Sequence, residues 1–126
     1  MTKQPEAKVS TKIMKEWRKL GVWCYKVWGS EFQMSGVPDI SGVYNGRSVW
    51  CETKMPGNKP SQIQWYRIEQ IRASGGFVVV AYSVAEALEM IQHIDDDTCT
   101  HEREICAYRA NVDVLEGRET LGDSIE

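Results

Sequence analysis

Residues Gly36 to Gln64 read GVPDISGVYNGRSVWCETKMPGNKPSQIQ, and the fold follows from how this stretch pairs with itself. Two short strand-like segments flank Asn45-Gly46. That dipeptide is the strongest short-range hairpin signal, because both central positions of a type I′ turn need positive φ. With Asn45 and Gly46 at the tip, Tyr44 faces Arg47, and Asp39 falls opposite Glu52. Side chains alternate along a strand, so Glu52 and Lys54 share a face and Asp39 joins them. Like charges placed directly opposite repel. Two carboxylates forced together beside a lysine therefore call for a compensating cation.

Working outward, Pro5 to Leu20 reads as an amphipathic helix with Val9, Ile13, Trp17 and Leu20 as its apolar stripe and Gly21 as its stop. Val22 to Trp28 has the aromatic and β-branched content of a strand. The hairpin arms run near Asp39–Tyr44 and Arg47–Lys54. Ser61 followed by Gln64 forms a capping box and starts a helix through Ser74, with Trp65, Ile68 and Ile71 on its apolar side. Phe77 to Tyr82 is a continuous apolar run, read as a strand buried on both faces. Ser83 caps a last helix through about His93, with Val84, Ala87, Leu88 and Ile91 facing inward. The order of helix, strand, hairpin, helix, strand, helix predicts an α/β domain, one mixed sheet flanked by helices. It occupies residues 1–94, and 95–126 form an acidic C-terminal tail or accessory segment.

The 126 residues suffice for one core without disulfides, and Cys24, Cys51, Cys99 and Cys106 are spaced irregularly, as reduced thiols. No run is long and apolar enough to span a bilayer, and no secretory leader is visible, so a cytoplasmic location without membrane contact is expected. The net charge of −3 hides an asymmetry. Residues 1–82 carry twelve Lys/Arg against six Asp/Glu, and residues 83–126 carry three against twelve. A basic body with an acidic tail is compatible with phosphate binding on one face. Lys26, Arg47, Lys59 and Arg67 are candidate DNA-phosphate contacts, each weighed against an ordinary surface charge. Of Trp17, Trp23, Trp28, Trp50 and Trp65, most are expected in the core or at an interface, with Trp50 on the Asp39/Glu52/Lys54 face. His93, Cys99, His101 and Cys106 match no common zinc spacing.

Asp39, Glu52 and Lys54 admit two readings from the residues alone. In one, an oxygen-rich pair of carboxylates holds Mg²⁺ or Mn²⁺, which polarises a phosphate while Lys54 neutralises developing charge. In the other, Lys54 merely bridges Glu52 on a solvated strand. Pro38-Asp39 followed by Glu52-Thr53-Lys54 resembles the PD-(D/E)xK nuclease signature. Ser35-Gly36-Val37, Asn45-Gly46-Arg47, Pro56-Gly57, Lys59, Gln64 and Arg72-x-x-Gly75-Gly76 extend the likeness. Together they resemble the VRR-NUC (virus-type replication-repair nuclease) family, in particular its small stand-alone members, over roughly residues 6–91.

The resemblance implies a restriction-endonuclease-like fold and metal-dependent hydrolysis of DNA. It implies Asp39, Glu52 and the Thr53 backbone carbonyl as metal ligands, Glu6 touching the metal through water, and Lys54 orienting the attacking water. Gln64 matches a functional glutamine of the family's helix, although the capping box explains it equally well; Glu6 has a similar alternative as a helix-dipole partner. The resemblance, to members found in phage and bacteria, further implies a homodimer acting on branched DNA such as four-way junctions. Two rivals remain open: a non-catalytic DNA-binding or interaction module on the same fold, and a sequence-specific restriction-type nuclease.

Overall fold

A computed structural model describes residues 5–29, 34–96 and 108. The elements run α1 (Pro5–Lys19), β1 (Trp23–Lys26), β2 (Ile40–Tyr44), β3 (Arg47–Thr53), α2 (Gln62–Ala73), β4 (Phe77–Ala81) and α3 (Val84–Asp95). The four strands form one mixed sheet in the order β1-β2-β3-β4. β1/β2 and β2/β3 are antiparallel, whereas β3 and β4 are parallel, joined by the α2 crossover.

The hairpin has the register set by its turn. Tyr44 pairs with Arg47 and Ile40 with Cys51. Asn45 (φ 52°) and Gly46 (φ 77°) both lie in the left-handed region, as a type I′ turn requires. On one face of the sheet, Ile40, Val49, Cys51, Phe77, Val79 and Ala81 pack under α1 and α3 in a single buried cluster. Trp17, wholly buried, ties the two helices together by donating its indole N–H to the Ala87 carbonyl at 3.1 Å. Full burial of a side chain this large contributes roughly 2–3 kcal/mol. α2 packs on β4 from the side that carries Val78, with Ile68 as its fully buried anchor. Its capping box is complete: Gln64 N–H donates to Ser61 Oγ, and Ser61 N–H donates to Gln64 Oε1.

Several side chains lie elsewhere than the sequence pattern predicts. Leu20 is 48% exposed because the helix ends at Lys19 and the chain reverses at Gly21 (φ 97°), so Val22 fills the core instead. Among the tryptophans only Trp17 is in the core; Trp23 (65%), Trp28 (72%) and Trp65 (40%) are exposed. A helical or strand stripe records which residues share a face, not whether another layer covers that face. Strand β1 is shorter than the aromatic run suggests, and α3 extends two residues past His93 to Asp95, burying Met90 and Ile94 as well. From the C-terminal segment, Tyr108 rests against the core and its carbonyl accepts from Val78 N–H at 2.9 Å, on β4. Cys99, His101 and Cys106 lie outside the described residues.

Candidate active site

The site forms where β2 begins and β3 ends. Its approach is the Ser35–Pro38 turn, which presses against the first turn of α2. A Cβ on Gly36 (φ 85°) would stand 2.8 Å from the Ile63 carbonyl oxygen, so only glycine allows this contact. Arg67 clamps the same turn by donating to the Ser35 carbonyl at 2.9 Å. Pro38 is fully buried, and Asp39 follows it just ahead of the paired part of β2.

The Asp39 carboxylate reaches two elements at once. Oδ1 accepts from the Thr53 backbone N–H at 2.8 Å, and Oδ2 pairs with Lys26 Nζ at 3.1 Å. A strand residue directs its N–H and C=O to the same side, so the Thr53 carbonyl also faces the Asp39 side. Glu52 is 4% exposed and its Oε2 lies 3.4 Å from Lys54 Nζ. Burial, the neighbouring Asp39 charge and, to a lesser degree, Glu6 push the Glu52 carboxyl up from 4.5 to about 7, against the pull of Lys54. Burial and a like charge both disfavour the ionised carboxyl, and a positive charge placed nearby would favour it.

The other candidates are distributed around this pair. Glu6 stands in the first turn of α1, half-buried, on the side that opens toward Lys26. Lys26 is drawn into the site: besides Asp39 it donates to Ser10 Oγ at 3.2 Å. Gln64 heads α2 with its amide oxygen in the cap. Lys59 is exposed on the loop before α2, a loop pinned by the bond from Tyr82 OH to the Asn58 carbonyl at 2.8 Å. Arg47 is exposed at the hairpin tip, where it donates to the Asn45 carbonyl. Arg67 is half-buried, and its contacts with Ser35, Gln70 and the Tyr66 ring hold the Gly36 turn on α2. Trp50 shares the parity of Glu52 but donates to Ser48 Oγ and lines a separate groove with Gln70, Ile71 and Gly76.

Three features escaped the sequence reading. Ser10 is buried and carries Lys26. Trp28, two residues beyond Lys26, stands exposed beside it. Lys8, Lys12 and Lys15 recur at i, i+4 and i+7 on the exposed side of α1, a helical spacing that a charge-by-position count along the first helix reveals.

Among the described residues no three His, Cys, Asp or Glu side chains converge on one point as a metal cluster. The acidic contribution is thus the pair Asp39 and Glu52, with Thr53 C=O at hand. That donor set fits Mg²⁺ or Mn²⁺, which are commonly held by one or two carboxylates, with water and substrate phosphate completing the shell. It does not suit zinc, which prefers His and Cys.

A solved structure described as a VRR_NUC domain is similar to this chain, with a TM-score of 0.59 and 27% sequence identity over 70% of this chain and 95% of that one. No protein-family model matches the sequence, and no curated protein matches it. The likeness, with the mixed four-strand sheet and its three helices, gives the chain a restriction-endonuclease-like α/β fold of the VRR-NUC type and supports a nuclease domain. No helix among the described residues is long and apolar enough to cross a membrane.

Proposed function

We propose that this VRR-NUC-like chain is a metal-dependent DNA endonuclease, and that the coupled carboxylates Asp39 and Glu52 form its metal-binding centre. The observation that carries the reading is geometric: Glu52, 4% exposed, lies opposite Asp39 in the hairpin register, with Lys54 Nζ 3.4 Å from its carboxylate. Such a pair is unfavourable for folding alone and would be relieved by a bound divalent cation. Asp39, Glu52 and the Thr53 carbonyl would hold Mg²⁺ or Mn²⁺, and Glu6 would reach it through water. When bound there, the ion supplies Lewis-acid polarisation of the scissile phosphate and neutralises charge that builds on its oxygens.

The chain's own groups do the rest. Lys54 Nζ, fixed 3.4 Å from Glu52, orients the attacking water and donates to the phosphoryl oxygens as charge accumulates. Lys26 neutralises Asp39 in the resting protein and is placed to turn toward an incoming phosphate. Gln64, at the head of α2, directs its amide N–H toward the substrate while its oxygen keeps the cap. Lys59 and Arg47, together with Lys8, Lys12 and Lys15, are exposed cations suited to the DNA backbone.

A homodimer acting on branched DNA suits the same architecture. Trp23 and Tyr25, whose rings stand 5.5 Å apart, share an exposed face with Val43 on edge strand β1 and its neighbour β2. Covering such a face with a second copy would remove apolar surface from water and set two active centres against two strands. Incubating the protein with four-way junctions, flaps, duplexes and single strands, with Mn²⁺ or with EDTA, tests the reading. Cleavage of junctions above plain duplex, abolished by EDTA, is the expected result. Metal-independent binding without cutting favours the non-catalytic module, and cutting at one sequence in any structure favours a restriction-type enzyme.

A further inference from the structure

Beside Asp39, the flank of α1 and the chain leaving β1 enclose a pocket of about 260 Å³. Glu6, Ala7, Ser10, Thr11 and Met14 make its helical side, and Lys26 and Trp28 make the other. Trp28 is 72% exposed, and Lys26 Nζ stands 5.6 Å from the centre of its ring. The same ammonium is 3.1 Å from Asp39 Oδ2. One lysine thus borders both the pocket and the carboxylate pair.

We propose that this pocket takes one unpaired nucleotide of the DNA substrate next to the scissile phosphate, with its base stacked on Trp28 and its phosphate against Lys26. The proposal rests on the nuclease reading and refines it by giving the substrate a local single-stranded character. An indole so exposed contributes little to the fold, since the hydrophobic gain comes from area removed from water. The same ring is a stacking platform for any base, and the adjacent cation matches the phosphate of the same nucleotide. A base inside a duplex is stacked on both sides and cannot lay its face on Trp28 without being extruded. Junction centres, flaps and frayed ends present an unpaired base at no such cost. Small residues at Ala7, Ser10 and Thr11 keep the space open, and the exposed Thr11 hydroxyl suits the polar edge of a base.

Binding in EDTA tests this without requiring cleavage. The probes are a single-stranded oligonucleotide carrying one 2-aminopurine and the same strand annealed to its complement, read by anisotropy and by 2-aminopurine fluorescence. Wild-type protein should bind the single strand and quench the fluorophore by stacking. Trp28→Ala should lose about tenfold in single-strand affinity and most of the quenching, while Trp28→Phe stays within about threefold. Affinity for the duplex should change less than about twofold in both variants. The proposal is overturned if wild type does not bind the single strand, if Trp28→Ala leaves its affinity and quenching unchanged, or if that variant loses both forms equally. Failure of the nuclease reading shows itself separately, as absence of cutting by wild type with Mn²⁺.

Discussion

Replacing Glu52 by Gln should make the metal-free protein more stable at high pH while destroying its function. In the folded chain the carboxyl titrates at about 7 rather than 4.5, and with 6% of its side chain exposed solvent screens little of that shift. A raised carboxyl favours the fold while protonated. Its contribution is fully present below pH 4.5, declines as pH rises, and is gone once pH passes about 7. At about 1.4 kcal/mol per unit, the loss reaches roughly 3 kcal/mol. Lys54 does not cancel it, because its attraction already acts on that value. Glutamine mimics the protonated acid at every pH.

The stability gap between Glu52→Gln and wild type should therefore widen by about 3 kcal/mol from pH 4.5 to pH 8, near 10 °C in Tm for a domain of this size. Urea or thermal unfolding in EDTA across that range measures it. Millimolar Mn²⁺ at pH 8 should then raise the wild-type Tm and leave the variant where it was. A gap independent of pH, or a variant less stable than wild type at pH 8, refutes the electrostatic argument.

The helix cap and the turn give further tests. Ser61→Ala and Gln64→Ala each remove half of the capping box and should lower stability by about 1 kcal/mol in denaturant unfolding. Only Gln64→Ala should also slow cleavage, by tenfold or more; equal rates for the two variants would assign Gln64 to the cap alone. Gly46→Ala places a Cβ at φ 77° and should cost about 1–2 kcal/mol, read as a fall in Tm with the site chemistry retained. An unchanged Tm would mean that the turn does not hold the register.

Where the sequence was informative, local chemistry specified the outcome. Asn45-Gly46 admits one tight reversal, and that reversal fixes which residues face each other from Tyr44–Arg47 to Ile40–Cys51. Ser61 and Gln64 announce a helix start through bonds that span only three residues. The contact of Lys26 with Asp39 was not legible, because it depends on how β1 docks against β2 across a long connection whose length sets no register. Ser10 likewise enters the site only once α1 lies against the sheet. The exposure of Trp23 and Trp28 has a related reason: they lie on surfaces that no described element covers, and coverage is a property of the assembled layers. Tyr108 reaches β4 from a stretch with no periodic pattern.

Central to the proposed chemistry is that Asp39 and Glu52 act as one chelating pair, and counting bound Mn²⁺ by the EPR signal of the free ion measures this directly. Wild-type protein should bind Mn²⁺ with an affinity that climbs as pH rises toward about 7 and then levels off, because Glu52 must give up its proton. Asp39→Asn and Glu52→Gln should each bind at least tenfold more weakly and fail to cut DNA. Binding by both variants equal to that of wild type, with cleavage intact, would contradict it.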